Sequence, residues 1–138
     1  MTPPRRWVVD ASAAVEFLLR TERGARVAEG FRASNFAPIN APHLMVTEAI
    51  STLRGLCRTR HLDVPGAELA LGELAELPCT FWDPQPLTNR VWSMRDNMSA
   101  YDATYVALAE ALDASLVTCD RRLASAAAAV SHVVVKVA

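Results

Sequence analysis

The sequence is short of the residues that build disulfide frameworks, zinc sites and nucleic-acid coats. Its three cysteines, Cys57, Cys79 and Cys119, are odd in number and far apart, and no two form a CxxC pair. The only histidines, His43, His61 and His132, do not fall at zinc-ligand spacings. A cystine scaffold and a structural zinc site are therefore excluded. The thiols read as small buried apolar residues in a reducing compartment. Lysine is nearly absent: Lys136 is the only one among 14 basic residues, the others being arginine. Fifteen acidic residues bring the net charge to −1. Coating nucleic acid through bulk charge is thus excluded, while a local basic patch stays open. No stretch approaches the ~18 uncharged apolar residues that a membrane span needs. The apolar run after Arg5-Arg6 is interrupted by Asp10 and Glu16, which argues against a secretory leader. A soluble cytoplasmic protein is expected.

What is present is enough for a real core. The 138 residues are 51% hydrophobic and 21% charged, the opposite of a disordered composition. A chain of this length buries about two-thirds of its unfolded surface. There is no internal repeat and no linker rich in Gly, Ser or Pro, so a single domain over residues 1–138 is expected.

Short apolar runs alternate with helical periodicity. Trp7-Val8-Val9 reads as a buried strand, and Asp10 or Ser12 can cap a helix over Ala13–Leu19. A second helix covers Arg23–Arg32, and Phe36–Ile39 is a weak strand. Pro42 suits a first helical turn, opening a helix from His43 to about Arg60. Asp63 and Pro65 start another, ending before Pro78. Thr80–Trp82 is a strand and Leu87–Arg95 a helix. Ser99 caps Ala100–Leu112; Ser115–Thr118 is a strand, Arg121–Ala129 a helix and Val133–Val137 a last strand. The alternation predicts an α/β fold: a mainly parallel sheet with helices on both faces, joined by right-handed crossovers. Valine-rich strands suit a sheet buried on both sides.

In such sheets ligands bind beyond the carboxyl ends of the strands. Asp10 follows the first strand and Asp120 follows Leu116-Val117-Thr118-Cys119; if those strands are neighbours, the two carboxylates converge. Asp102 lies in a first helical turn, where the dipole favours an acid. It also stands three and four residues before Tyr105 and Val106, toward packed surface. Glu48 sits mid-helix, with Met45, Ala49 and Thr52 on its face. Several carboxylates in one crevice repel each other and resist desolvation. A hard cation relieves that cost. Mg²⁺ takes one or two protein carboxylates and keeps waters or phosphates, with Mn²⁺ the near alternative. An acidic site without His or Cys fits phosphoryl chemistry.

These residues resemble the PIN-domain nucleases, and most closely the small VapC-type ribonuclease toxins of toxin–antitoxin pairs. The resemblance is carried, in family order, by Val8-Val9-Asp10-Ala11-Ser12-Ala13, Thr47-Glu48-Ala49, Tyr101-Asp102-Ala103-Thr104-Tyr105-Val106-Ala107-Leu108-Ala109 and Leu116-Val117-Thr118-Cys119-Asp120-Arg121-Arg122-Leu123. It implies a three-layer α/β/α fold and a Mg²⁺-dependent endoribonuclease. Asp10 and Asp102 match the direct metal ligands, Glu48 and Asp120 the assisting acids, and Ser12 and Thr118 the supporting hydroxyls. It also implies an RNA substrate, a cognate antitoxin as partner and homodimerisation. Ala114 and Ser99 stand where relatives commonly carry Gly and Thr, and residues 61–86 carry no motif.

Two other readings are weighed. A receiver-type phosphotransfer domain would need an acidic pair upstream, a mid-chain phospho-acceptor and a lysine near the last strand, and Lys136 lies too close to the end. A non-catalytic binding module would have no use for an intact set of four acids. Arg54, Arg58 and Arg95 are candidates for contact with RNA phosphate or an acidic partner, against the alternative of solvated helix faces. Trp82 and Trp92 read as core or interface residues rather than as base-stacking platforms.

Overall fold

The computed structural model describes residues 2–138. Within them, five strands, β1 (Trp7–Val9), β2 (Ile39–Pro42), β3 (Cys79–Trp82), β4 (Ser115–Thr118) and β5 (Val135–Val137), form one sheet in the order β3-β2-β1-β4-β5. Every pairing is parallel. Seven helices among the described residues join them: α1 (Ala11–Leu19), α2 (Glu22–Ala33), α3 (Leu44–Arg58), α4 (Val64–Glu76), α5 (Thr88–Ser93), α6 (Ala100–Leu112) and α7 (Arg121–Val130), with a 3₁₀ turn at Gln85–Leu87 before α5. The chain steps outward from β1 through β2 to β3, and on the other side from β4 to β5. Right-handed crossovers send those two series of helices to opposite faces. Accordingly α1 packs on α2, α3 and α4, whereas α6 lies against β1, β2 and β4.

Burial follows from that topology. The central strands β1 and β4 are buried along nearly their whole length, while the edge strands β3 and β5 are partly exposed. Trp7 fills the space under α2, its ring 5.9 Å from Phe31 in an edge-on contact. Five helices begin at a side-chain cap: Asp10, Thr21, Asp63, Ser99 and Asp120 each accept a backbone N–H of the first turn. Such a cap contributes about 1 kcal/mol. Asp10 and Asp120 therefore have a reason to be where they are before any ligand is considered. One glycine is required by close approach: a Cβ on Gly24 would stand 2.0 Å from the Glu16 carbonyl oxygen, where α2 turns against α1.

The structure corrects several boundaries. Residues 36–39 do not form a strand from Phe36. Asn35 and Phe36 both take positive φ, at 54° and 56°, and end α2 with Phe36 exposed. The strand starts at Ile39 and includes Pro42, which therefore does not open a helix. Pro42 closes β2 at its last residue, and α3 starts two residues later. The first helix begins at Ala11, so Asp10 is its cap and Ser12 lies inside it. The cysteines are half-buried rather than buried. Burial pushes the Cys79 thiol up to about 12 and that of Cys119 up to about 11, which leaves both as unreactive thiols.

Candidate active site

The strand order reverses between β1 and β4, and there the crossovers leave a crevice at the carboxyl edge of the sheet. Its volume is about 540 Å³, and Asp10, Glu48, Asp102 and Asp120 all line it, together with Ser12. The four sequence-predicted acids are thus brought to one cavity from β1–α1, α3, α6 and β4–α7.

Asp10 is the most constrained of them. It is 4% exposed. Its Oδ1 accepts the Ala13 N–H at 2.9 Å and the Ser12 hydroxyl at 2.8 Å, and its Oδ2 accepts the Thr118 hydroxyl at 2.5 Å. The two hydroxyls are themselves oriented from the far strand: Ser12 Oγ accepts the Cys119 N–H at 3.0 Å, and Thr118 Oγ1 accepts the Asp120 N–H at 2.9 Å. Each hydroxyl has one proton, and both are spent on Asp10. The 3.3 Å approach of Ser12 Oγ to Thr118 Oγ1 is then a contact without a proton of its own. The carboxylate keeps one lone pair of Oδ2 without a protein donor. Burial raises its pKa from the usual 3.8 to about 6, against the opposing pull of the Thr118, Ala13 and Ser12 hydrogen bonds, with the Asp120 charge adding to the rise.

Asp102 stands in the first turn of α6, its backbone N–H capped by Ser99 Oγ at 3.1 Å. Burial raises its pKa, Arg122 opposes the rise and Asp120 adds to it. Asp120 caps α7 through the N–H groups of Arg122 at 2.9 Å and Leu123 at 3.3 Å. Glu48 is held by the buried Tyr105, whose phenol donates to Oε1 at 2.5 Å. Burial and the neighbouring Glu48 charge drive that phenol's pKa upward, so it remains a donor.

Charge in the crevice is strongly one-sided. Arg122 gives two of the acids a counter-charge, reaching Asp120 at 3.4 Å and Asp102 at 3.8 Å from an 80% exposed side chain. Among the described residues no three His, Cys, Asp or Glu side chains come together closely enough to hold a metal ion by themselves. The donors are carboxylates and hydroxyls, and the buried Asp10 retains an unused lone pair. That combination suits a hard divalent cation that keeps most of its waters, and it does not suit structural zinc.

Sequence reasoning overlooked four residues of the site. Glu16 lines the crevice and accepts the Thr21 hydroxyl; it lies one turn after Ser12 on α1, a spacing that offered a signal. Tyr105 and Arg122 stood inside quoted motifs without a role. His61 lines the crevice because the α3–α4 connection folds back over it, and nothing in the sequence announced that. The predicted arginines do not join the acids. Arg54 and Arg58 lie on α3, neither lining the crevice, and Arg95 borders a different groove. Trp92 is not a core residue, being 67% exposed. Lys136 sits by a separate hollow with Trp7 and Phe31, so a receiver-type site is not formed.

Comparison with known proteins gives a consistent result. Residues 7–129 match the PIN domain family. Ribonuclease VapC9 of Mycobacterium tuberculosis is 40% identical over 116 residues, which is 84% of this chain and 87% of that protein. Among solved structures, VapBC2 from Rickettsia felis, bound to a promoter DNA fragment, superposes with a TM-score of 0.66 at 11% identity, covering 95% of this chain and 97% of that one. The Mycobacterium tuberculosis toxin VapC20, which cleaves the sarcin–ricin loop, gives a TM-score of 0.64 at 16% identity, covering 87% and 94%. The fold, the site's place at the strand-order reversal and the extent of these matches agree, and the chain belongs to the PIN-domain family, among its VapC ribonucleases.

Proposed function

We propose that the chain is a Mg²⁺-dependent endoribonuclease toxin, acting as one nuclease domain in the cytoplasm and neutralised by a cognate antitoxin. The observation that carries this reading is a buried Asp10 in a crevice shared with Glu48, Asp102 and Asp120. Asp10 and Asp102 would hold the cation directly, and Glu48 and Asp120 would assist, partly through water. When bound, the cation supplies an activated water and offsets charge on the scissile phosphate. Ser12 and Thr118 fix the Asp10 carboxylate and leave one lone pair of Oδ2 without a protein donor. Tyr105 holds Glu48 in place, and Arg122 limits the repulsion between Asp102 and Asp120.

Mn²⁺ is expected to substitute, because oxygen donors favour hard cations. A partner that blocks the crevice would carry an Arg or Lys, since the approach of Arg122 to two of the acids already gives a guanidinium the role of counter-charge there. Homodimerisation is part of the same reading. Exposed large apolar side chains, Phe36, Ile50 and Leu69 among them, are of the kind that mark partner surfaces.

RNA cleavage in the presence of EDTA tests the reading. Activity is expected to stop, and to return with Mg²⁺ or Mn²⁺ but poorly with Zn²⁺. Undiminished cleavage in chelator would reject metal dependence and point to base-catalysed chemistry. Light scattering tests the dimer: a mass near 15.0 kDa at all concentrations would reject it.

A further inference from the structure

Beside the acidic crevice a second groove, of about 520 Å³, opens where the 3₁₀ turn and α5 meet the start of α6. Trp92 lines it and is 67% exposed. An indole carries a large apolar area whose exposure is costly, so its position calls for a reason. Arg95 also lines the groove. Its guanidinium carbon lies 4.8 Å from the Trp92 ring centroid, and its Nη1 donates to the Trp92 carbonyl at 3.2 Å. The arginine is thereby tethered across one face of the ring, in a cation–π arrangement. An indole has two faces, and Arg95 takes only one.

The rest of the groove is mixed. Val91 and Met98 are apolar, whereas Gln85, Thr88, Ser99 and Asp83 bring hydrogen-bonding groups. The Asp83 Oδ1 accepts the Gln85 N–H at 2.9 Å. An aromatic face, a fixed guanidinium and nearby donors and acceptors match an unpaired nucleobase, which stacks on aromatic or Arg planes and presents its edge to polar groups. A purely apolar partner face would strip those polar groups of water without compensation. The groove is also adjacent to the acids: Ser99, which lines it, caps the backbone N–H of Asp102 at 3.1 Å. Ser99 and Asp102 are three residues apart, about one turn at the start of α6. The exposed Tyr101 stands on that same turn.

We infer that this groove is a nucleobase subsite of the RNA substrate, in which Trp92 and Arg95 hold an unpaired base next to the phosphate at the acidic crevice. The inference rests on the endoribonuclease reading above. It assigns recognition to single-stranded or looped RNA, because a base inside a duplex cannot reach the ring.

The test measures equilibrium binding of a fluorescent single-stranded RNA oligonucleotide, and of the same sequence as a duplex, in chains carrying Asp10→Asn. Adding Trp92→Ala is expected to weaken single-strand binding roughly 5- to 100-fold, the loss of one stacked base, and to leave duplex binding unchanged. Trp92→Phe retains a stacking face and is expected to stay within about 3-fold of its parent, while removing the quenching of tryptophan fluorescence by RNA. That rescue separates stacking from misfolding. With all four acids intact, Trp92→Ala is expected to raise KM more than it lowers kcat. Equal single-strand affinity in the Trp92→Ala chain overturns the inference. So does a fall in molecular mass accompanied by equal losses for single strand and duplex, which would assign the face to a second copy of the chain. Cleavage by the Asp10→Asn chain would refute the acidic-site reading and leave the binding comparison intact.

Discussion

Replacing Asp10 by Asn isolates the cost of burying its charge. The folded pKa is raised from 3.8 to about 6, so the folded chain binds a proton that the unfolded chain has already released between those values. Stability must therefore fall as pH rises through that window. The difference of about 2 units corresponds to about 3 kcal/mol of destabilisation at pH 7, present in full above the folded pKa and absent below pH 3.8. Asn removes that cost. It also caps a helix as well as Asp does, and its amide oxygen can keep the Ala13 and Ser12 hydrogen bonds. Its NH₂ group meets Thr118, whose hydroxyl must turn away toward Ser12 Oγ, 3.3 Å distant. That rearrangement and the lost interaction with the helix dipole cost about 1–2 kcal/mol. The Asp10→Asn chain is thus expected to be about 1–2 kcal/mol more stable than the parent at pH 7.5 without metal, and less stable near pH 4. The assay is urea unfolding of both chains in EDTA from pH 4 to pH 8, reading the difference in unfolding free energy. A difference that stays flat across this range would refute a raised Asp10 pKa. Adding Mg²⁺ should reverse the order at pH 7.5, because only the parent retains the full ligand set, and binding to the folded state alone adds stability.

Other perturbations have equally definite outcomes. Asp102→Asn should abolish cleavage while the far-ultraviolet circular dichroism stays unchanged; full activity in that chain would remove Asp102 from the site. Thr118→Val deletes the donor to Asp10 Oδ2 and the acceptor for the Asp120 N–H. It should destabilise by about 1–3 kcal/mol and push the Asp10 pKa above its present value, read as a more alkaline lower limb in the pH–rate profile. Arg122→Ala removes the cation beside Asp102 and Asp120 and should tighten Mg²⁺ binding by calorimetry, more at low than at high ionic strength. Gly24→Ala forces a methyl group into the Glu16 carbonyl and should lower the melting temperature sharply, with a loss of about 3 kcal/mol or more; a neutral result would mean that α1 and α2 pack differently.

Most of the fold was readable because its signals are local. Trp7-Val8-Val9 and Ser115–Thr118 are apolar runs ended by acids, and Ser99 and Asp63 are caps whose side chains do what their type favours. The errors fell where a local rule met a tertiary demand. Pro42 can close a parallel strand because it is the strand's last residue, so its preference for a first helical turn did not decide. Phe36 is β-prone, yet it takes a left-handed conformation to turn the chain out of α2. The four acids were legible because each lies in a motif, whereas the hydrogen-bond economy around Asp10 was not. It depends on β1 and β4 being neighbours, which no local pattern encodes. Between core and interface the sequence alone does not decide for Trp92: hydrophobicity predicts burial on average and says nothing of the individual exception.

The pairing of β1 with β4 has a consequence for how the chain is made. The bond from Thr118 to Asp10 closes a separation of 108 residues. At the ~5–20 residues per second of protein synthesis, about 5–20 s pass between the appearance of the acid and that of its hydroxyl partner. During that interval the emerging chain gains β2 and then β3 beside β1, but lacks the strand that orients Asp10 and supplies Asp120. A nuclease built in this order cannot cut RNA as a nascent fragment beside the ribosome. Its site is complete only once β4 and Asp120 have emerged, by which time a protein partner already in the cell has had those seconds to meet the helices made first.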